Sequence, residues 1–337
     1  MNRLHVDRIA DAVLYEGYIL YPYRPSVKNR QRWTFGGLFP EAYCQSGNGD
    51  SASMQTECLV QGDARTTFEA IVRFLHLTER TVEKGVRNRF GGETVPGAFF
   101  EPWQEAEERE VALGSAALGE LLAGPRFVPF SFSGGRRVET VRDKAGDIAG
   151  VLVREQQAIA GNIEARAVEE AEGLYRLMLR VVNRTPPAAS GIISRDAALL
   201  RSLVSTHAIL AVQGGAFVSL LDPPDCCREA AAACCNVGVW PVLVGAEGQT
   251  DTMLASPIIL YDYPQVAAES PGDFFDGTEI DEMLTLRILT LTDEEKRAMA
   301  SVDERARDLL ARTETMAREQ MLGLHGTIRT PEGRTHG

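Results

Sequence analysis

Two adjacent cysteine pairs, in the run CCREAAAACC, are the residues whose type and spacing most directly suggest chemistry. They are Cys226, Cys227, Cys234 and Cys235. Thiolates are preferred protein ligands for soft metal ions. In a straight helix Cys227 and Cys234 would lie roughly 10.5 Å apart along the axis, whereas the ligands of a tetrahedral zinc lie roughly 4 Å apart. One helix therefore cannot close a four-thiolate site by itself.

Two interpretations of the cysteine pairs stay open. In the first, small thiols fill an alanine-rich helix face in a close-packed core. In the second, the pairs hold nickel, iron or zinc transiently, and a second chain, a helix break or other ligands complete the site. The chain has six cysteines and no recognisable export signal, which favours free thiols or metal ligands over a disulfide framework. We expect no resident cofactor.

A second candidate lies in the acidic segment that follows the cysteines. Residues 229–286 contain ten acids and no Lys, Arg or His, and seven of the acids fall within residues 262–282. Such carboxylates could bind a divalent cation in a hydrolase. A calcium-binding loop does not fit, because Gly277 at its sixth position would place Gly272, which has no side-chain oxygen, at the first. The simpler interpretation is a solvated acidic surface. Its candidate residues are Asp262, Asp273, Asp276 and Glu279.

The stretch from Leu14 to Pro40 has the opposite character, because it interleaves aromatic and basic residues in a chain whose net charge is −12. Aromatic residues and arginine are enriched in protein-binding hot spots. We expect this stretch to meet the acidic surface of the same chain, the acidic surface of a second copy in a homo-oligomer, or another protein. The acidic overall charge argues against nucleic-acid binding. The candidate contact residues are Arg24, Lys28, Arg30, Arg32 and Trp33.

The common catalytic signatures are absent from the sequence. It contains no P-loop, dinucleotide-binding, zinc-protease or serine-hydrolase motif. Of the five histidines, His76 and His207 are the ones far from the termini, and both are flanked by apolar residues typical of strands. We interpret both as structural. The sequence therefore predicts no catalytic residues, and an enzymatic role is kept only as an alternative.

Length and hydropathy predict a cytoplasmic protein of about two domains. A chain of 337 residues exceeds what one core usually supports. The first residues carry charges where a signal peptide needs an apolar region. The longest uncharged apolar run, residues 208–221, is shorter than the roughly 20 residues of a membrane span. We therefore expect no membrane insertion.

The pattern of strands and turns predicts an α+β fold. A β-rich, sandwich-like domain is expected over residues 1–185, and an α+β domain that ends in an amphipathic helix over residues 192–322. The run NRTPPAASG marks the boundary between them, because paired prolines stop a strand. A disordered tail is expected over residues 323–337.

Local patterns predict several individual elements. Alternation of apolar and polar residues indicates a long strand in TTFEAIVRFLHLTERTVE. SFSGGRR and RDKAGD are predicted hairpin turns, and HAILAVQGGAFVSLL a complete hairpin. A helix is predicted from Asp222 to near Asn236, and strands are predicted in WPVLVG and SPIILYDY. Thr278 and Thr292 are predicted to cap two further helices.

Several longer segments resemble an uncharacterised bacterial protein family whose genes lie among those for the structural and maturation proteins of nickel–iron (NiFe) hydrogenases. The segments are VLYEGYILYPYRPSVKNRQRWTFGGLFP, TECLV, GNIEARA, SLLDPP, WPVLVG, SPIILYDYPQVAAESPGDFFDGTEIDEMLTLRILTLTDEEK and LLART. The resemblance covers most of residues 8–314. It implies a role in assembling or supporting a hydrogenase, and it transfers no catalytic residues.

The leading hypothesis is a non-catalytic cytoplasmic accessory protein that supports NiFe hydrogenase assembly or maturation through protein–protein contacts. Its partner would be a hydrogenase subunit or a maturation protein. The predicted binding surface combines the basic and acidic candidates named above. The alternatives are a divalent-metal-dependent hydrolase that uses the carboxylates of residues 262–282 and a metallochaperone that uses the cysteine pairs of residues 226–235.

Overall fold

The computed structural model gives a β-rich protein whose strands pair into antiparallel sheets. The residues it describes are 3–15, 36–45, 47, 49–83, 86–87, 93–94, 103–142, 146–187, 194–264, 296, 307 and 310–311. This architecture confirms the β-rich α+β fold expected from the sequence.

The strands, numbered in chain order, range in length from two to 17 residues. They are β1 (Ser53–Gln61), β2 (Thr67–Glu83), β3 (Val86–Arg87), β4 (Glu93–Thr94), β5 (Trp103–Ala112), β6 (Ala116–Ala117), β7 (Arg126–Phe132), β8 (Gly135–Arg142), β9 (Ile148–Gln156), β10 (Ile159–Ala171), β11 (Leu174–Asn183), β12 (Val204–Gln213), β13 (Ala216–Val218), β14 (Trp240–Leu243) and β15 (Thr252–Ser256).

In the described part of the chain, five α-helices have assigned ends, and the longest has 13 residues. They are α1 (Arg3–Tyr15), α2 (Glu41–Cys44), α3 (Leu118–Ala123), α4 (Arg195–Leu199) and α5 (Arg228–Ala232), and a 3-10 turn (Asp225–Cys227) precedes α5. Among the described residues, no helix combines the length and the apolar content needed to cross a bilayer.

Two large sheets pack face to face. The smaller sheet has the strand order β13-β1-β11-β10-β7. The larger sheet has the order β14-β15-β12-β2-β9-β8, with β5 and β6 also paired to β2. Both sheets contribute to one buried cluster, for example through Val60 and Leu177 from the smaller sheet and Phe74 and Leu210 from the larger. The predicted sandwich-like packing is therefore confirmed for the described residues.

Strand β2 shows why the sequence pattern was informative. Phe68, Val72 and Phe74 alternate along the strand and face the cluster between the sheets. Side chains of a strand point to opposite faces in turn, so this alternation places apolar residues on one buried face. The predicted long strand in this region is confirmed, and it spans Thr67–Glu83.

The predicted boundary near residues 183–191 does not divide the described chain into two cores. Strands β12, β14 and β15 follow that boundary, yet they continue the larger sheet beside β2. Strand β13 likewise joins the smaller sheet beside β1. The prolines that ended the predicted first domain therefore connect strands within one sandwich.

The predicted hairpin of residues 207–221 is wrong. β12 pairs with β2 and β15 in the larger sheet, whereas β13 pairs with β1 in the smaller one. The Gly214–Gly215 corner thus carries the chain from one sheet to the other. Gly214 has a φ of +75°, and a Cβ on Gly215 would lie 2.7 Å from the Gln61 carbonyl oxygen. Glycine is needed here for both conformation and clearance.

The turn in SFSGGRR is a second corner of this kind. β7 ends in the smaller sheet and β8 begins in the larger one, so the predicted hairpin is absent. A Cβ on Gly134 would lie 2.7 Å from the Gln156 carbonyl oxygen, so this corner also needs glycine for clearance. The hairpin predicted at RDKAGD is confirmed, because β8 and β9 pair antiparallel.

Helix α1 covers part of the outer face of the larger sheet. Val6, Ile9 and Val13 pack against Ile209 and Leu254. Burying such an apolar side chain stabilises the fold by roughly 1.5–3 kcal/mol. The stripe recurs at three- and four-residue spacing, which is the period of an amphipathic helix. The helix end therefore fixes the point from which the aromatic and basic stretch departs.

Two predictions toward the C-terminus have different outcomes. The predicted strand SPIILYDY is wrong, since only its first residue, Ser256, belongs to a strand, and that strand is β15 (Thr252–Ser256). The helices predicted after Thr278 and Thr292 lie largely outside the described residues, as does the whole 323–337 tail. The described positions beyond residue 264, which are Lys296, Arg307, Leu310 and Ala311, are helical.

Candidate functional site

The cysteine-rich segment is not the single helix predicted from its sequence. A 3-10 turn spans Asp225–Cys227, and α5 ends at Ala232. The chain then runs beside β1, where Gln55 and Val237 exchange backbone hydrogen bonds of 3.0 and 2.8 Å. Strand β13 pairs only with residues 59–61 of β1, so the backbone groups of Gln55 on the same edge are available for these bonds. Pairing of this kind competes with continuation of the helix, which explains why the predicted helix is too long.

Side-chain contacts also hold this segment on the sheet. The Asn236 side-chain oxygen accepts hydrogen bonds from the Glu57 amide at 2.8 Å and from the Thr56 hydroxyl at 2.9 Å. The Glu57 carboxylate, on a residue that is 7% exposed, accepts a 2.8 Å hydrogen bond from the Cys235 amide. Arg176 lies 3.7 Å from the same carboxylate. Glu57 therefore anchors the segment.

The four cysteines do not converge into one metal site. Within the described part of the chain, no group of three or more His, Cys, Asp or Glu side chains could hold a metal ion. Cys226 and Cys235 are exposed, whereas Cys227 is 2% exposed. All six cysteines of the chain are free thiols. The predicted four-cysteine set is therefore two separate pairs.

The two inward-facing cysteines contribute to apolar packing. Cys227 lies in a cluster with Leu59, Leu174 and Val218, and Cys234 packs against it. Burial, followed by the nearby Glu57 carboxylate, raises the pKa of Cys234 to about 11. Its thiol is therefore protonated near neutral pH, as expected for a small side chain that fills a packed face.

The carboxylate of Asp262, which is predicted as a partner-binding residue and in the alternative as a metal ligand, is engaged within the fold. It accepts hydrogen bonds from the Ser219 hydroxyl at 2.5 Å and from the Leu243 amide at 2.7 Å. The following residue, Tyr263, has a φ of +56° and donates its amide to the Leu243 carbonyl at 2.7 Å. Asp262 thereby ties the chain after β15 to edge strand β14.

Exposed apolar side chains surround this connection. Ile259 is 76% exposed and Tyr261 is 86% exposed, on the segment that Asp262 fixes. Trp240 begins strand β14, and Leu221 follows Ser219 by two residues; both are also exposed. We call Leu221, Trp240, Ile259 and Tyr261 the edge patch. Its members lie on the three segments that the hydrogen bonds of Asp262 connect.

A charged network that the sequence analysis missed lies across β2, β5, β8 and β9. The Glu105 carboxylate pairs with Arg80 at 2.9 Å and with Arg154 at 2.8 Å. Arg154 also pairs with Glu139 at 2.7 Å. The Arg80 side chain is 4% exposed, so its partner neutralises a largely buried charge. Strand registers that bring these residues together are not visible in the sequence.

Both central histidines are buried strand residues. The His76 Nε2 lies 2.7 Å from the Gln157 carbonyl oxygen, and the His207 Nδ1 lies 2.9 Å from the Ser205 carbonyl oxygen. Burial lowers the pKa of His76, and it lowers that of His207 to about 4. Both rings are therefore neutral near pH 7, in keeping with the structural role assigned to them.

Most of the predicted contact residues lie outside the described residues. They are Arg24, Lys28, Arg30, Arg32, Trp33, Asp273, Asp276 and Glu279. The described ends of the aromatic and basic stretch are Tyr15, at the end of α1, and Gly36, whose backbone carbonyl accepts a 3.0 Å hydrogen bond from the Thr206 amide. A Cβ on Gly36 would lie 2.6 Å from Pro257. Gly36 therefore lies against Pro257, at the start of the segment that carries Ile259 and Tyr261.

Of the sites described above, the edge patch has the clearest chemistry for contact with another molecule. Its side chains are large and aromatic or aliphatic, and they are exposed. The side chains of the charged network and of the cysteine segment, in contrast, pair with one another or with nearby backbone groups of the same chain. No protein-family model matches this chain, and a search of curated proteins finds no relative.

Proposed function

We propose that this chain is a non-catalytic cytoplasmic accessory protein that supports NiFe hydrogenase assembly or maturation through protein–protein contacts. The partner in this proposal is a hydrogenase subunit or a maturation protein. Its identity rests on the resemblance of residues 8–314 to proteins encoded beside such genes. The docking role rests on a separate physical observation.

That observation is the edge patch. Interfaces are enriched in exposed aromatic residues, which bury large areas when a partner binds. Tyr261 and Ile259 are 86% and 76% exposed, yet the neighbouring Asp262 is fixed by two hydrogen bonds. A patch on a fixed backbone loses little conformational freedom on binding, and this preserves affinity.

The position of the edge patch also suits recognition by charge. The acidic segment of residues 265–282 begins directly after Pro264, and Gly36 of the aromatic and basic stretch lies next to Pro257. Charged residues around an apolar centre steer association and select the partner. In this proposal the edge patch supplies contact area, and the predicted charged residues supply specificity.

The test combines Ile259→Ser with Tyr261→Ser. Both side chains are exposed, so the free energy of unfolding should change by less than about 0.5 kcal/mol. Capture of hydrogenase subunits or maturation proteins by the tagged chain should fall by about tenfold or more. The matched control is Phe127→Ser with Ile148→Ser, which removes two exposed apolar side chains elsewhere.

The control should retain capture at the wild-type level. Equal capture by the edge-patch variant and the wild type would remove the edge patch from the proposal. Equal loss in both variants would show that capture depends on general surface apolarity. Only selective loss in the edge-patch variant supports a defined docking surface.

A further inference from the structure

Cys226 and Cys227 differ in exposure although they are neighbours in the chain. Cys226 is exposed, and Cys227 is 2% exposed. Their Sγ atoms lie 3.7 Å apart. An exposed thiol beside a shielded one is the arrangement in which the first reacts with an oxidant and the second resolves the product. The difference in exposure therefore sets which of the two thiols reacts first.

The surroundings of Cys227 favour its role as the second thiol. The Gln61 side-chain amide donates toward the Cys227 Sγ over 3.8 Å, an orientation that stabilises a thiolate. Burial, followed by the contact with Cys226, raises the pKa of Cys227. Cys227 therefore keeps its proton while Cys226 is a free thiol or thiolate. Once the Cys226 thiol has reacted, its hydrogen bond no longer helps to keep the Cys227 thiol protonated.

We propose that Cys226 and Cys227 form a redox-modification site that reacts with a low-molecular-weight disulfide of the glutathione type. The Cys226 thiolate attacks one sulfur of that disulfide, forms a mixed disulfide and expels one thiolate. The Cys227 thiolate then attacks the Cys226 sulfur and expels the second thiolate. The chain loses two electrons and two protons, and the reagent gains them as two thiols.

The product is a strained disulfide that is readily reduced. Neighbouring Cα atoms across a trans peptide are about 3.8 Å apart, whereas the Cα atoms of disulfides are usually about 4.4–6.8 Å apart. Strain raises the reduction potential, and such bonds serve as reversible rather than structural links. The modification is therefore a switch and adds no lasting support to the fold.

Oxidation changes the turn that covers β1. In the thiol state, the Cys227 amide donates a 2.8 Å hydrogen bond to the Pro224 carbonyl, and the Cys227 side chain packs on Leu59 and Val218. The eight-membered ring of a neighbouring-residue disulfide cannot keep this helical turn, so Cys227 leaves its contact with Gln61. None of these contacts involves a residue of the edge patch, so the inference does not rest on the proposed function.

The second pair provides an internal comparison. The Cys234 thiol donates to the Ala230 carbonyl oxygen, 3.5 Å away, whereas the Sγ atoms of Cys226 and Cys227 face each other at 3.7 Å. Cys235 is exposed. Cys235 is therefore expected to form a mixed disulfide that Cys234 does not resolve.

The experiment treats the reduced full-length chain with oxidised glutathione, quenches it with acid and maps the peptides by mass spectrometry. In the wild type, the peptide that contains Cys226 and Cys227 should be lighter than its reduced form by the mass of two hydrogens. Cys227→Ser should instead carry a stable glutathione adduct on Cys226, at a level about tenfold above the wild type. Cys226→Ser should show neither product at this pair, and Cys235→Ser should behave like the wild type there.

Cys227→Ala serves as a second variant, because alanine leaves no buried hydroxyl if serine disturbs folding. It should give the same Cys226 adduct as Cys227→Ser. Three results would overturn the proposal: equal adduct on Cys226 in the wild type and in Cys227→Ala, a link between Cys226 and a cysteine other than Cys227, or no reaction at Cys226 in any variant.

Discussion

Ser219 and Asp262, 43 residues apart in the chain, are joined by a hydrogen bond of 2.5 Å from the Ser219 hydroxyl to the Asp262 carboxylate. The other carboxylate oxygen accepts the Leu243 amide at 2.7 Å. One side chain thus fixes three segments at the end of the larger sheet. The exposed residues of the edge patch lie on these three segments.

Asp262→Ala tests this connection. The change removes the acceptor of two hydrogen bonds and leaves the Leu243 amide without its partner, so the free energy of unfolding should fall by about 1–3 kcal/mol. Denaturant unfolding measures it. Glu247→Ala, which removes an exposed acid nearby, should change the free energy by less than about 0.5 kcal/mol. A similar loss in both variants would mean that Asp262 does not organise the segments.

His207 should make stability depend on pH. Burial lowers its pKa to about 4 in the folded chain, below the value of about 6.5 in the unfolded chain. Between these values the unfolded chain binds more protons. The contribution is therefore complete above about pH 6.5 and is lost as the pH falls toward 4. His207 alone should lower the free energy of unfolding by about 3 kcal/mol over this range.

The measurement compares wild type and His207→Leu by denaturant unfolding at several values between pH 4 and pH 7. The difference between the two proteins isolates His207 from the carboxylates that also titrate. The slope of stability against pH should be smaller in the variant. Parallel curves would contradict the buried neutral state of this ring.

Glu105→Gln tests the charged network. The change removes one carboxylate partner from the largely buried Arg80 and one from Arg154, so we expect a loss of about 1–3 kcal/mol in the free energy of unfolding. The control is Glu83→Gln, because Glu83 pairs with Arg136 at 3.1 Å on the surface. Surface pairs contribute about 0–1 kcal/mol. A loss in the control as large as that in Glu105→Gln would contradict the assignment of Arg80 as a buried charge.

The basic stretch gives a prediction about binding. Arg30→Glu with Arg32→Glu should weaken capture of the hydrogenase component and leave folding intact, because charges at an interface steer and select partners. The matched control reverses the same charges on β8, with Arg136→Glu and Arg137→Glu. Capture assays at low and moderate salt compare the Arg30→Glu, Arg32→Glu variant with this control. Unchanged capture by the first variant would count against the basic stretch as a contact surface.

The sequence was most informative where local periodicity decides the structure. The alternation in β2 and the turn between β8 and β9 predicted elements that the fold contains. The Gly214–Gly215 corner shows the limit of such patterns. Two strands joined by glycines look like a hairpin in sequence, but here each strand pairs with a different sheet. Long-range pairing is settled by core packing, which local patterns do not report.

The candidate site was less accessible from sequence. Asp262 was singled out because it is acidic, yet its carboxylate is satisfied by Ser219 and Leu243. Glu57 was not singled out, because an acid at an alternate strand position is typical of a solvated face. The segment that ends in Cys235 and Asn236 covers that face. Both outcomes depend on partners that are distant in the chain.

A pull-down of the tagged chain from its native host, read by mass spectrometry, tests the central claim most directly. We expect recovery of NiFe hydrogenase subunits or maturation proteins above the level obtained with an unrelated tagged protein. That recovery should fall in the variant that combines Ile259→Ser and Tyr261→Ser. Recovery of the chain alone, under mild conditions that preserve weak complexes, would contradict the proposed accessory role.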